Sequence, residues 1–491
     1  MTNTTELETL NASTLSAVTG ETAKRPTYDR DALPISILHV GPGAFFRAHQ
    51  MDYYDRLNAT DPQWGVMAVA LRSRKAPDAL AEQSGLYTLV TLDREIDFRV
   101  IGCLKEVCHK DDAQALAPFT SAELKLVTLT ITEKGYCLKP DGNLDEAHAD
   151  IAADLKDMSA PLSAIGWLVK GLSARKDAGL SGLTILSCDN LPSNGEKLES
   201  AVLQFAGEID PALRRWIEDE VSFPSSMVDS ITPATDDALI NRVERECGYH
   251  DEWPIQREAF TSWVVQSNVK PGFPDIARVG AIMTDDVALH EKAKLWLLNG
   301  PHSTLAYLGL AYGCKSVAEG MTRPELKSFL DTLMRHEILP GLTTPDGMDL
   351  NVYIDDLLDR FSNPAIEHKL SQIAWDGSKK LPIRLLETIS ANLAAGRSVE
   401  KLSFGIAAWM RFIVRMTRAD ASITDPMASE LAALGAKAED KAETDVPMFL
   451  AVYAVFDKEL TDNTTFTGAV KQAYSAILDI EKTNLQGGFG I

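Results

Sequence analysis

The sequence predicts an α/β domain built on a mostly parallel sheet, followed by an all-helical domain. Three observations carry that expectation. Short β-branched or apolar runs alternate with helical stretches from Pro34 onward, a glycine-rich turn joins the first run to the first helix, and strand signals nearly vanish after about residue 285. At 491 residues the chain also exceeds what one hydrophobic core usually supports.

Taken in order, the first 27 residues are polar and lack strong periodicity, so a loose N-terminal arm is expected there. A first domain is expected over 28–285, with strands at 35–40, 65–71, 87–92, 98–103, 124–131 and 183–188. Between them lie helical stretches such as 45–57 and 160–176. A second domain is expected over 286–491, with amphipathic helices at 287–298, 323–336, 351–360, 381–395, 399–416 and 466–480. The alanine-rich, charged stretch 428–444 reads as a solvated helix and loop. No repeat or low-complexity tract interrupts this order.

The formal net charge is -22, so the overall field repels nucleic acid and anionic membrane surfaces, and no basic stretch overrides it. No apolar run approaches the length of a membrane span, and residues 1–30 lack the apolar core of a signal peptide. The six cysteines (Cys103, Cys108, Cys137, Cys188, Cys247 and Cys314) are scattered without a C-x-x-C pair, as expected of reduced thiols in a cytoplasmic protein. Cys103, Cys108 and His109 lie closest together and read as strand-edge packing rather than a metal site.

The run S-I-L-H-V-G-P-G-A-F-F-R-A-H-Q (36–50) places G-x-G directly between a strand and a helix. Glycines in that context allow a tight turn and let backbone amides approach a pyrophosphate at the positive end of the helix. Gly41, Gly43, Ala44 and Phe45 are therefore candidate dinucleotide contacts in a Rossmann-type domain, although the third glycine of the full fingerprint is missing. An acid at the end of the second strand would select NAD; here the chain reads Leu71-Arg72-Ser73-Arg74-Lys75. Either Arg72, Arg74 and Lys75 accept the extra phosphate of NADP, or they form a solvated basic turn.

The segment 285–302 opens with good N-caps and then runs helically through Glu291, Lys294, Asn299 and His302. At about 100° per residue, Lys294, Asn299 and His302 share an arc of roughly 140°. Oxidising a secondary alcohol needs a base for the hydroxyl proton and donors for the developing oxygen charge, and a lysine with an amide and an imidazole supply both. Taken alone, Lys294 reads by default as a snorkelling surface residue. Pro301 removes one helix hydrogen bond at about 3 kcal/mol, so a kink or restart is expected between Asn299 and His302. No motif for catalytic zinc is present, which leaves a metal-free mechanism. Asn190, at the carboxyl end of the 183–188 run, is a candidate substrate contact or a turn residue before Pro192; Glu133 and Lys134, at the end of the 124–131 run, are site residues, with Glu133 a candidate cofactor contact, or an exposed turn.

Together these stretches resemble the mannitol dehydrogenase family of polyol-specific long-chain dehydrogenases, from about Tyr28 to the C-terminus. The landmarks are GPGAFFRAHQ (41–50), TITEKGYC (130–137), SCDN (187–190), FPSSMVD (223–229), KLWLLNGPH (294–302), RFSNP (360–364) and DGSKK (376–380). The resemblance implies an active site between a Rossmann-type domain and a helical domain, with NAD as the family's cofactor and no metal. It implies Lys294 as general base and Asn190 and Asn299 on the reacting oxygen. It also implies His302 orienting substrate, Asp229 and Lys380 on its hydroxyls, Glu291 at the proton exit, and a monomer as one possible assembly.

The chain departs from the family pattern at Phe46 (usually histidine), Pro301 (usually a small residue) and Ser230 (usually arginine). Gln372 stands where the polyol enzymes carry arginine, and the segment 368–386 looks more like the fructuronate reductases, whereas Ala68-Val69-Ala70-Leu71 resembles the mannitol enzymes. A polyol or a sugar acid is thus the expected small-molecule partner. The rival expectation is a catalytically idle, dinucleotide-sensing binding protein of the same fold.

Overall fold

The structure, a computed structural model, describes residues 7–19, 21–366 and 368–484. The chain divides between Ala288 and Leu289 into two compact units. No helix among the described residues is long and apolar enough to cross a membrane.

In the first unit the strands are β1 (Ile35–Val40), β2 (Gly65–Ala70), β3 (Tyr87–Leu92), β4 (Asp97–Ile101), β5 (Leu104–His109), β6 (Leu126–Leu129), β7 (Thr184–Ser187), β8 (Ser226–Asp229), β9 (Ile255–Glu258), β10 (Ser262–Gln266) and β11 (Ile282–Thr284). Five of them form one wholly parallel sheet in the order β5-β2-β1-β6-β7. The order reverses between β1 and β6, which opens a crevice at their carboxyl ends, where doubly wound sheets bind ligands. Both faces are covered, so the strands are apolar on both sides. Leu38, Val127 and Ile185 pack with Trp167, Leu198 and Phe205 of the helices Ala164–Asp177 and Asn194–Ile209. Ile37, Val66 and Leu126 pack with Met51, Tyr54 and Trp263.

Three sequence expectations need correction. The strands read at 87–92 and 98–103 do not join the parallel sheet; β3 and β4 pair antiparallel and sit with β9 in a separate three-stranded sheet. The link 93–96 is too short for the crossover that parallel pairing demands. The helix expected over 45–57 is interrupted at His49 (φ -109°, ψ -80°) into Ala44–Ala48 and Gln50–Asn58. The described part of the 1–27 arm is not loose. Leu10, Val18 and Ala23 are buried, and its backbone is bonded to His250, Phe98 and Val100.

The second unit is helical throughout its described residues. Its core helix, Glu400–Arg418, is buried along most of its length and packs against Gly300–Ala311 and Thr464–Asn484. Three π-helical stretches interrupt the α-helices: Lys294–Asn299, Leu333–Ile338 and Pro382–Leu386. The first lies directly upstream of Pro301 and replaces the kink expected there. The proline has no N–H for the usual four-residue bond, and the helix meets the deficit by widening its preceding turn while Asn299 and Gly300 keep helical dihedrals.

Candidate active site

In the first unit β1 runs into the glycine turn. Gly41 has φ +97°, and a Cβ there would stand 2.3 Å from the Thr130 carbonyl oxygen, so only glycine fits. A Cβ on Gly43 would touch only the Gly41 carbonyl, at 3.8 Å, which leaves this side of the turn open. The turn is held from below. His39 Nε2 lies 2.9 Å from the Gly41 carbonyl and Nδ1 lies 2.8 Å from Thr128 Oγ1, while Thr130 Oγ1 donates to the same carbonyl at 2.8 Å. Burial pushes the His39 imidazole down to about 3, so it is neutral. Phe46, the departure from the family pattern, stacks on that ring with centroids 3.4 Å apart and is fully buried. It is part of the turn's floor.

Above the turn lies a cavity of about 730 Å³, within the range of small-molecule and cofactor sites. Gly41, Gly43 and Ala44 line it, as do Arg72, Lys75, Ile131, Gly135, Asp236, Glu252 and Trp253. Arg72 pairs with Asp150 at 3.2 Å, and Lys75 Nζ sits 4.6 Å over the Trp253 ring. Three candidates are not among the lining residues. Phe45 stacks on His49, Arg74 pairs with Asp112, and Glu133 is an exposed residue of the short helix Glu133–Tyr136.

Sequence reading missed Arg47, which lines the cavity yet is almost fully buried. It donates to the Trp253 carbonyl at 2.5 Å and packs between the rings of Tyr87 and Trp253. Burial lowers its guanidinium to about 10. The only hint in the sequence was a cation inside an otherwise apolar helix.

Asn190 follows β7 and is exposed; its neighbour Asp189 is buried and explains the local geometry. The Asp189 carboxylate accepts from Ile131 N (2.9 Å), Thr132 N (2.8 Å) and Tyr136 Oη (2.7 Å). These bonds hold Thr132 at φ +66°, a left-handed conformation that a branched residue adopts only when its surroundings fix it. Burial raises the Asp189 carboxyl above the ordinary range, and its three donors oppose that shift. Asn194, also missed, donates to the carbonyls of Ser187, Asp189 and Ser226 and accepts from Ser226 N, tying the β7 end to β8. Asp229 ends β8 and is buried. Ser230, where arginine was expected, donates to the Phe260 carbonyl at 3.0 Å.

In the second unit, Glu291 lies on the helix Val287–Ala293, Lys294 and Asn299 begin and end the π-helical turn, and His302 follows on Gly300–Ala311. Lys294 and Asn299 are both half-buried. A five-residue bonding repeat stacks residues 294 and 299 on successive turns more closely than the α-helical arc predicts. His302 is buried, stacks on Phe361 (5.1 Å between centroids) and meets His368 edge-on (4.8 Å). Its Nε2 is buried and has no hydrogen-bond partner among the described residues. Burial first, and then His368 and the cations Arg384, Arg360 and Lys380, push its imidazole well below the ordinary range, so it too is neutral.

Lys380 is half-buried and donates to the Ile373 carbonyl at 3.3 Å; burial and then Arg384 lower its ammonium below the usual range. Gln372 is exposed on the short helix Leu370–Ile373, which packs against the His302 helix. The structure therefore gathers His302 and Lys380 with two residues the sequence did not single out, His368 and Arg384.

Residues 35–278 match the mannitol dehydrogenase Rossmann domain, and 286–478 match the mannitol dehydrogenase C-terminal domain. The chain is 38% identical to D-mannonate oxidoreductase of Escherichia coli K12, over 93% of this chain and 96% of that one. It is 32% identical to polyol:NADP oxidoreductase of Gluconobacter oxydans 621H, over 79% and 82% of the two chains. It is similar in structure to Pseudomonas fluorescens mannitol 2-dehydrogenase, solved as a ternary complex with NAD and D-mannitol. There the TM-score is 0.79 at 35% identity, covering 98% of this chain and all of that one. With a Rossmann-type domain, a helical domain, and both family models matched along nearly its whole length, the chain belongs to the mannitol dehydrogenase family of oxidoreductases.

Proposed function

We propose that this protein interconverts a secondary alcohol and a ketone on an open-chain polyol or sugar acid, with NAD or NADP as the hydride carrier and Lys294 as a metal-independent general base. The observation that carries the reading is His302: a buried, neutral imidazole whose Nε2 has no partner among the described residues, one turn beyond Asn299 and about two beyond Lys294. A buried polar atom without a partner is costly unless a ligand supplies one.

The residues of the glycine turn suit a dinucleotide. Gly41 makes the tight turn, open space at Gly43 admits a pyrophosphate, and the cavity is of cofactor size. When bound, the dinucleotide accepts the hydride that leaves the carbinol carbon. Lys294, in its amine form, takes the hydroxyl proton, so each alcohol loses one hydride and one proton and becomes a ketone. Asn190 and Asn299 donate to the oxygen as negative charge grows on it. His302 fixes the orientation of a substrate hydroxyl, while Asp229, Lys380 and Gln372 hold hydroxyls farther along the chain. Glu291, three residues before Lys294 and so on the same helix face, passes the proton to solvent.

Arg72 and Lys75 line the cavity near the end of β2, which supports tolerance of the NADP phosphate alongside NAD. Six buried, unpaired thiols fit a reducing, cytoplasmic setting. The test follows reduced-cofactor absorbance with mannitol, arabinitol, mannonate, fructose and fructuronate, with each dinucleotide in parallel. Turnover of at least one pair is expected. Tight dinucleotide binding with no turnover of any would overturn the reading.

A further inference from the structure

Arg384 lies in the π-helical stretch Pro382–Leu386, close against the start of the His302 helix. A Cβ on Gly300 would stand 2.7 Å from the Arg384 carbonyl oxygen, so glycine is what permits this approach. From there the guanidinium reaches Ser303, donating to its Oγ at 3.0 Å, while its Nε is buried with no partner. Lys380 approaches the same imidazole from the helix Gly377–Leu381.

Among the described residues no carboxylate forms an ion pair with Arg384 or Lys380, although the chain has 70 acidic residues against 48 basic ones. Arg47 and Arg257 also keep a buried Nε without a partner among the described residues, but other buried arginines differ from Arg384 in what they pair with. Arg411 and Arg257 pair with acids, and Arg175 reaches the carbonyls of Phe119, Ser121, Leu124 and Ser181. Arg384 and Lys380 instead lie near each other and near a neutral His302, with Asp376 and Asp425 acting on Lys380 from beyond ion-pair distance. Like charges gathered in a half-buried place destabilise one another, and an anion placed among them relieves that.

We propose that Arg384, together with Lys380, forms a carboxylate-binding subsite beside His302, so that the preferred substrate is a sugar acid or its keto acid rather than a neutral polyol. This rests on the dehydrogenase reading above and narrows it. The planar guanidinium binds the carboxylate through charge-assisted hydrogen bonds, remote from the carbon that loses hydride. The redox balance is unchanged: hydride goes to the dinucleotide and the hydroxyl proton to Lys294. Arg384 is then a specificity residue, outside the chemistry itself.

The test compares matched pairs that differ only in a terminal carboxylate against a terminal hydroxymethyl group: D-mannonate with D-mannitol, and D-gluconate with D-glucitol. For the full-length enzyme, kcat/KM for the better acid is expected to exceed that for its polyol by about 100-fold. In Arg384→Gln the KM for that acid is expected to rise about 10- to 100-fold, with kcat and the polyol KM changing much less. Arg384→Lys is expected to recover part of the loss. Retained dinucleotide binding establishes that each variant is folded, and the wild-type pair ratios decide the matter if one is not. Turnover of polyols but not of their acids overturns the subsite and leaves the dehydrogenase reading standing. An equal loss on acid and polyol in Arg384→Gln also overturns it. Turnover of neither class overturns both.

Discussion

The glycine turn of the first unit and the His302 cluster of the second each contain a buried neutral histidine, yet they treat it oppositely. At the turn, both His39 nitrogens lie within hydrogen-bonding distance of protein atoms, its ring is stacked on Phe46, and the nearby 131–136 segment is clamped by three bonds from Ile131, Thr132 and Tyr136 to the Asp189 carboxylate. In the cluster, His302 Nε2 and Arg384 Nε are buried without partners among the described residues, and Arg384 and Lys380 both act on the imidazole. The first arrangement is complete in itself and preorganised; the second has hydrogen-bonding capacity left for a ligand. Fold stability and substrate recognition are thereby assigned to different residues. The prediction is that changes at the turn affect stability and cofactor affinity, while changes in the cluster affect turnover and selectivity.

The largest effect on stability is expected from Gly41→Ala. The left-handed backbone and the 2.3 Å approach of the Thr130 carbonyl should together cost about 3 kcal/mol or more, seen as a lower denaturation midpoint with weakened dinucleotide binding. Asp189→Ala should follow, at about 2–4 kcal/mol, because it leaves the Ile131 and Thr132 amides without their acceptor. If either variant kept full stability and full cofactor affinity, the claim that the turn is preorganised would fail.

Acid titration compares the two histidines directly. Both are held below the ordinary histidine range, so below about pH 6.5 the unfolded chain binds protons that the folded chain refuses. Stability contributed by each is present above that pH and is lost as pH falls, at about 1.4 kcal/mol per unit per histidine, for His39 down to about 3. Urea midpoints measured between pH 7 and 5 should show the loss, and its slope should be shallower in a His302→Asn variant. The smallest stability effect is expected from Arg384→Leu, within about 1 kcal/mol of wild type or slightly stabilising, since it removes an under-satisfied cation. A loss of several kcal/mol there would make the cluster structural.

Much of this was legible in the sequence because it rests on local pattern. The runs at 35–40 and 87–92 coincide with β1 and β3, and the strand, glycine turn and helix sit where the G-x-G spacing places them. What was not legible depends on partners distant in sequence. Within the SCDN run nothing local marked Asp189, because its role comes from Ile131, Thr132 and Tyr136, which share its carboxylate. Arg384 sat unremarked in a run of leucines, since its importance comes from Ser303 and His302, some eighty residues earlier. The π-helical turn at Lys294–Asn299 escaped because apolar periodicity was read at the α-helical angle, although Pro301 marked the place.

The most direct measurement is of Lys294→Ala, with dinucleotide binding followed by fluorescence and turnover followed by reduced-cofactor absorbance on the same preparation. Binding within a few-fold of wild type and a fall in kcat of at least about 1,000-fold are expected of a lost general base. Undiminished turnover in that variant would contradict the account.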